Sequence, residues 1–334
     1  MLWLIRELIF LKRLISALLS LLLILGVFTA CSEEKPKELR IVSVQDTACI
    51  AIAELLEKNA SPEDGYKYIS TVVNLPSRAN KLLTEGDCDI AFVPADLASV
   101  MYKKTNGGIT VLASISGVEY QILAKDIAPF ESAANLLGAE INLLDRDRLD
   151  ENLLEYVLEA NSISADEYKI TYAPSVKQLA QVVKAGKSNA ALLNAVGAAE
   201  LVTLEPSFKV LSLNDEWNKI SDAPLIGYCA VVSNDFLTQN DEAVEQFITN
   251  LKASLSASGD SAKTLSLAKK HGLLTNENYG EFIYNSVNLS FLSGSKMKTA
   301  LKKYYAAIKT KKAALIGKNA PDDIFYYIPE EEKQ

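Results

Sequence analysis

The stretch EGDCDIAFVPADLAS, Glu85 to Ser99, decides the reading of this chain. Its centre, Asp89 to Val93, is a short continuous apolar run, the pattern of a strand covered on both faces; Pro94 breaks it, and a helix is expected from about Asp96 to Tyr102. Working upstream, Gly86 ends a helix through Leu82 and Leu83 for which Ser77 is the candidate N-cap, and Tyr68 to Val73 reads as the strand before it. Earlier still, the β-branched run Leu39 to Val44 meets a polar corner at Gln45, Asp46 and Thr47, followed by Ala51, Ile52, Leu55 and Leu56 at helical spacing. Downstream, Gly107 and Gly108 turn the chain into a strand from Ile109 to Ile115. Strands alternating with helices of this length predict an open α/β sheet.

About 100 residues later the plan recurs: APSVKQLAQVVKAGKSNAALLN, Ala173 to Asn194, parallels LPSRANKLLTEGDCDIAFVP, Leu75 to Pro94, as Pro-Ser, amphipathic helix, Gly, strand. The interval is too long for a solenoid and suggests two lobes on one plan. The second lobe is expected over 128–226, with strands Glu140 to Leu144, Tyr168 to Tyr172 and Ala190 to Leu193 and a helix from Asp150 to Leu158. The first takes 38–127 and 227–334, with Ile226 to Val232 as a strand returning to it. Chain crossings near Lys125 to Pro129 and Leu225 to Gly227 would form the hinge. The tail from Asp241 places Ala243, Phe247, Ile248 and Leu251 on one helical face, packed against the first lobe.

With 334 residues, 49% hydrophobic and 23% charged, the chain holds more than one compact core. Its net charge is -8, and the first thirty residues carry +2, so the remainder is more acidic still. An acidic surface without a basic stripe excludes nucleic acid as a partner. His271 is the only histidine, in a Lys-rich helical region without an evident carboxylate partner, which argues against zinc and against Ser-His-Asp or Cys-His chemistry. Cys49, Cys88 and Cys229 lack CxxC or His-paired spacing and read as buried, inert thiols. No P-loop or dinucleotide fingerprint is present, and no cofactor or metal is expected.

Lys12 and Arg13 precede an apolar run from Leu14 to Phe28 that ends at small residues before Cys31, and a polar stretch follows from Ser32 to Pro36. This order fits the charged and apolar regions of an export signal. It resembles the lipobox of bacterial lipoproteins, with Phe28 where that pattern prefers Leu. The resemblance implies a signal peptide over 1–30, lipidation (palmitate) at Cys31, a tether over 31–37 and attachment to the extracytoplasmic face of the cell membrane. The alternatives are an uncleaved anchor, since Met1 to Phe10 is also apolar and about 20 apolar residues span a bilayer, and a cleaved soluble protein.

In open α/β sheets ligands bind beyond the carboxyl ends of the strands, where helix N-termini present free N–H groups. That rule selects Gln45, Asp46, Thr47, Ser77, Arg78, Pro94, Ala95, Asp96, Ser116 and Tyr120 on the first lobe. It selects Asp145, Arg146, Ser175 and Asn194 on the second. Ser77 and Thr47 also read as plain N-caps, Arg78 and Arg146 as solvated charges, Tyr120 as core, and the alternating run Asp145 to Arg148 as a self-paired turn. Arginine nonetheless grips carboxylate or sulfonate with two parallel bonds, which favours an anionic solute.

The strand-corner-helix series, EGDCDIAFVPADLAS, KAGKSNAALLN (Lys184 to Asn194) and APDDIFYY (Ala320 to Tyr327) together resemble the type II periplasmic binding proteins, in the branch of ABC-importer receptors for sulfonates, nitrate and thiamine-pyrimidine precursors. The similarity runs from Glu38 to Tyr327. Many relatives carry Glu-Pro where this chain has Asn194 and Ala195, and a Gly/Ser-rich loop where it has Asp145 to Arg148, so the ligand does not carry over. The resemblance implies a two-lobed α/β fold with open mixed sheets, helices on both faces and a two-crossing hinge. It implies a monomer that closes on a small polar or anionic organic solute and delivers it to ABC permease subunits. Two other readings stay open: an enzyme on the same fold, similar to menaquinone-pathway enzymes, and a sensor or adhesin lipoprotein without transport.

Overall fold

The computed structural model describes residues 36–44, 48–60, 65–117, 120–144, 148–273, 280–286 and 289–332. From Glu38 to Gln334 the chain is one compact unit. In chain order it runs β1 (Lys37–Val44), α1 (Ala48–Ala51), α2 (Ala53–Glu57), β2 (Tyr66–Val73), α3 (Pro76–Thr84), β3 (Ile90–Pro94), α4 (Ala95–Lys104) and β4 (Ile109–Gly117). Then come β5 (Tyr120–Ala124), β6 (Glu140–Leu143), α5 (Leu149–Ala160), β7 (Lys169–Tyr172), α6 (Val176–Lys184), β8 (Ala190–Asn194), α7 (Ala195–Leu204), β9 (Lys209–Ser212) and α8 (Leu213–Asn218). The chain ends through β10 (Ile226–Ser233), α9 (Asn234–Gln239), α10 (Asp241–Ala257), α11 (Ser261–Lys270), α12 (Gly280–Ser286), β11 (Leu289–Ser293) and α13 (Gly294–Lys312).

Among the described residues the strands form two open, mixed sheets, in the orders β11-β4-β10-β3-β1-β2 and β7-β6-β8-β5-β9. The first contains parallel β1–β3 beside antiparallel β3–β10 and β10–β4; the second contains parallel β7–β6–β8 beside antiparallel β8–β5 and β5–β9. This is a two-lobed α/β fold with helices on both faces of each sheet.

The repeat seen in the sequence is reproduced in backbone detail. Both α3 and α6 end on a glycine at positive φ, Gly86 at 77° and Gly186 at 68°. After each helix the glycine N–H and the next N–H fold back on the last turn: Gly86 to Leu83 O and Asp87 to Leu82 O, Gly186 to Val183 O and Lys187 to Val182 O. This closure needs a left-handed residue, which glycine adopts without steric cost. Each turn feeds a buried strand and then a ten-residue helix, β3–α4 in one lobe and β8–α7 in the other. In α6, Val176, Leu179, Ala180 and Val183 bury one stripe at helical spacing, and that stripe packs on Ala191 and Leu193 of β8.

Two expectations are corrected. Ser77 does not cap α3: Leu75 holds the N-cap position in extended conformation and Pro76, with no N–H to satisfy, opens the helix, so Ser77 falls one residue inside. The first crossing between sheets lies between β4 and β5, not near Lys125 to Pro129, because Tyr120–Ala124 pairs with β8 and β9. The run YQILA suits either sheet; only its hydrogen-bond partners assign it. The chain returns to the first sheet between α8 and β10.

The apolar cores explain how the lobes hold together. One face of sheet one packs against α2, α10 and α11 through Ile41, Leu55, Phe92, Phe247 and Leu267. The other face carries α4 and α13 and belongs to a core that continues through Ile122 and Ile226 into lobe two, ending on Leu153, Leu158 and Trp217. The lobes therefore share apolar material along one side. Lys311 of α13 strengthens that seam, pairing with Glu159 and placing its Nζ 4.6 Å from the centre of the Tyr156 ring, both residues on α5.

Candidate functional site

Pro94 and Asn194 mark equivalent points, each the last residue of a buried strand and the N-cap of the following helix. Asn194 Oδ1 accepts the Gly197 N–H at 2.8 Å, and Ser175 Oγ accepts the Gln178 N–H at 3.3 Å, so both side chains cap their own helices. The start of α4 is anchored instead from α13, where the Tyr305 hydroxyl donates to Ala95 O at 2.8 Å. Ser99 Oγ, one turn later, donates to Ile316 O at 2.8 Å. Ala95 is wholly buried against this support.

Asp96 follows in the first turn of α4, and its surroundings are unusual for a carboxylate. Oδ1 is enclosed and accepts no hydrogen bond among the described residues. Burial pushes the carboxyl up to about 6, while the backbone N–H groups of Leu97 and Asp96 and the Arg148 guanidinium pull it down and the Asp150 carboxylate pushes it up. Arg148 and Asp150 open α5 in the other lobe, so charges from both lobes lie within electrostatic reach. Asp150 is 8% exposed, its Oδ1 is likewise without a hydrogen bond among the described residues, and burial is the main cause of its raised carboxyl pKa.

The apolar side of this cluster comes from α13 and β10. Tyr304, wholly buried, has an unpartnered hydroxyl among the described residues; burial holds its ionisation well above the ordinary value, with Asp96 and Tyr120 adding to the effect. Burial does the same to the Cys229 thiol, again with Asp96 contributing. Ser114, paired across the sheet with Cys229, also keeps an enclosed hydroxyl without a partner among the described residues. Each enclosed and unpaired polar group costs about 1–3 kcal/mol, so several in one place mark a position where stability was conceded. Ile50 of α1 and Ala199 of α7 meet in an apolar cluster with Phe282 and Tyr284 of α12, which brings the two lobes into contact.

The structure thus gathers Asp96, Pro94, Ala95, Tyr120 and Asn194 around the ends of β3, β5 and β8; Tyr120 pairs directly with Asn194. Ser116 stands across from Tyr228, itself opposite Pro94. Ser77 and Arg78 are exposed on α3. Gln45, Asp46, Thr47, Asp145 and Arg146, and the segment with Cys31, lie outside the described residues. Sequence reasoning missed Arg148, Asp150 and Tyr304 as site residues. The charge run ending at Arg148 and the helix start at Asp150 were visible signals; Tyr304 carried none, because its place depends on α13 packing beneath α4.

His271 pairs with Glu57 at 3.0 Å beside Lys270, on elements that cover the opposite face of sheet one from α4. Lys270 and then His271 hold the Glu57 carboxyl below its ordinary range. Among the described residues no group of three or more His, Cys, Asp and Glu side chains has the arrangement to hold a metal ion. Nor, among them, is any helix long and apolar enough to cross a membrane.

No family model matches the chain, and no curated protein matches it. Solved structures do. An ABC transporter protein from Parabacteroides distasonis superposes with a TM-score of 0.72 at 21% identity, covering 89% of this chain and 100% of its own. The periplasmic aliphatic sulphonate binding protein SsuA from Escherichia coli gives 0.67 at 12% identity, over 88% of this chain and 93% of its own. The alkanesulfonate-binding protein SsuA from Xanthomonas axonopodis pv. citri, bound to MOPS, gives 0.59 at 17% identity, over 86% and 96%. At these identities the likeness establishes a fold, that of the type II periplasmic binding proteins.

Proposed function

We propose that this protein is a lipid-anchored, extracytoplasmic solute-binding protein that captures a small polar solute between its lobes and delivers it to an ABC import permease. The observation that carries the reading is that Asp96, at the start of α4 in one lobe, lies within electrostatic reach of Arg148 and Asp150 at the start of α5 in the other, and that an enclosed carboxylate oxygen of Asp96 and one of Asp150 have no hydrogen-bond partner among the described residues. A ligand that satisfies them binds the closed arrangement better than the open one and shifts the population toward it. The solved structures it resembles include proteins named for ABC transport and sulfonate binding, which supports the same reading and an extracytoplasmic location. The signal over 1–30, acylation of Cys31 and the tether over 31–37 complete it, with the lobes meeting at the hinge between β4 and β5 and between α8 and β10.

Two measurements test this. Intact mass of membrane-extracted protein should show loss of the signal and diacylglyceryl addition at Cys31, abolished in Cys31→Ala; an unprocessed N-terminus in both would refute the anchor. Mass spectrometry of small molecules released on denaturation, followed by thermal shift, should identify a ligand, which at 100-fold excess over its Kd adds about 2.7 kcal/mol. Chemical conversion of that ligand by the protein would refute the receptor reading in favour of an enzyme.

A further inference from the structure

The two lobes touch along a seam between α13 and the turn after it, Ala313–Ile316, on one side and α5 and α8 on the other. α13 is fixed to lobe one: Tyr305 donates to Ala95 O at 2.8 Å, and Ser99 Oγ of α4 donates at 2.8 Å to Ile316 O just past the helix end. From lobe two, Leu153 and Tyr156 of α5 and Trp217 of α8 face Ala307, Ile308 and Leu315 across a narrow cavity of about 10 Å³, room for about one water. Apolar contact is non-directional and, with a gap between the faces, incompletely packed, so by itself it fixes no single angle between the lobes. Lys311 supplies direction. Its Nζ lies 4.6 Å from the centre of the Tyr156 ring and pairs with Glu159, one turn further along the same face of α5. Tyr156 stands 4.8 Å from Trp217, whose indole N–H donates at 2.6 Å to Ala223 O, in the segment by which the chain returns from α8 to β10. A continuous line of contacts therefore runs from a helix of lobe one, through lobe two, to the crossing between them.

We propose that Lys311 is a positioning residue that latches the lobes together, through its charge on Tyr156 and Glu159, and so sets how tightly the receptor holds a solute it does not touch. In the same arrangement Ile50 of lobe one meets Ala199 of lobe two, so the latch favours the lobes in contact over the lobes apart. The apparent affinity for a solute falls with the fraction of protein in the arrangement that binds it, which is how a contact at the seam reaches the site. The inference rests on the receptor reading above and names the regulation of that same site. The Lys311 side chain is 34% exposed and that of Glu159 70%, so dissolved salt screens their pair while leaving the apolar seam in place.

The test is made on the ligand-free full chain carrying Trp3→Phe, which leaves Trp217 as its only indole. Acrylamide quenching of Trp217 reads the seam, and small-angle neutron scattering with the detergent contrast-matched reads the separation of the lobes. Lys311→Met removes the charge and keeps a stem that packs on Tyr156; Glu159→Gln leaves the ring contact; Lys311→Arg keeps the charge. The expected quenching constant is at least about threefold higher in Lys311→Met, raised less in Glu159→Gln and unchanged in Lys311→Arg, with the radius of gyration rising in step. Raising sodium chloride from about 0.01 M to about 1 M should bring the Lys311 protein toward Lys311→Met and leave Lys311→Met where it was. Circular dichroism confirms that each variant is folded; should Lys311→Met fail to fold, Glu159→Gln and the salt series carry the comparison. Quenching and radius that the variants leave unchanged, or a salt response that Lys311→Met retains, overturns the latch. No solute enters these measurements, so failure to find a ligand counts against the receptor reading and not against this result.

Discussion

Replacing Asp96 with Asn should stabilise the ligand-free protein at neutral pH, against the usual direction for a substitution at an enclosed position. Burial raises the Asp96 carboxyl from an ordinary 3.8 to about 6. Below 3.8 it is protonated in folded and unfolded chains alike and its ionisation contributes nothing. As pH climbs from 3.8 to about 6, the unfolded chain releases a proton that the folded one retains, so stability falls across that window and stays lower above it. The full loss is about 3 kcal/mol. Asn removes the charge at nearly the same size, although its NH2 still needs an acceptor, so the net gain at pH 7.5 is about 1–3 kcal/mol. Urea unfolding of ligand-stripped protein at pH 4, 5, 6 and 7.5 measures it. The wild type and Asp96→Asn should be nearly equal at pH 4 and diverge as pH rises. A variant less stable at pH 7.5, or a difference flat with pH, would refute the claim that burial of this carboxylate is a cost held in place for ligand.

Further outcomes follow from the same packing. Trp217 is 1% exposed, donates to Ala223 O at 2.6 Å and lies 4.8 Å from Tyr156 at the seam between α5 and α13; its emission should shift red when the lobes part and back when ligand is added, and Trp217→Ala should cost about 3–5 kcal/mol by urea unfolding. At Gly294, φ is +57° and an added Cβ would sit 2.4 Å from the Glu332 carboxylate, whose Oε2 accepts the Ser295 N–H at 2.8 Å at the start of α13. Gly294→Ala should cost about 1 kcal/mol in backbone conformation alone and lose that cap as well, lowering the thermal midpoint, with Gly294→Asn milder. Cys49, Cys88 and Cys229 are buried and form no disulfide among the described residues, and burial, then the Asp89 carboxylate, pushes the Cys88 thiol up to about 12; none should react with Ellman's reagent in the native protein at pH 8, and all should react in urea. Rapid native labelling at Cys88 or Cys229 would contradict the packing around β3 and β10.

The recurrent plan of this chain was legible because it is local. Gly86 and Gly186 end their helices by a backbone geometry only a few residues long, and the continuous apolar strands that follow need no distant partner to be recognised. Pro94 and Asn194 could be placed at equivalent strand ends for the same reason. What escaped was pairing: β5 reads identically for either sheet, and its place beside β8 is a matter of hydrogen bonds across about seventy residues of chain.

The candidate site divides along the same line. The sequence by itself determined that Asp96 begins a helix beyond the end of a buried strand, since strand, breaker and helix follow one another within ten residues. It did not determine that Asp150 and Arg148 from the other lobe, and Tyr304 from a helix two hundred residues away, surround that carboxylate. A helix start is dictated by dihedral preference and capping, which neighbours settle. The charge state of Asp96 is dictated by how much water its surroundings exclude, and only the packing of α13 and the approach of the second lobe decide that.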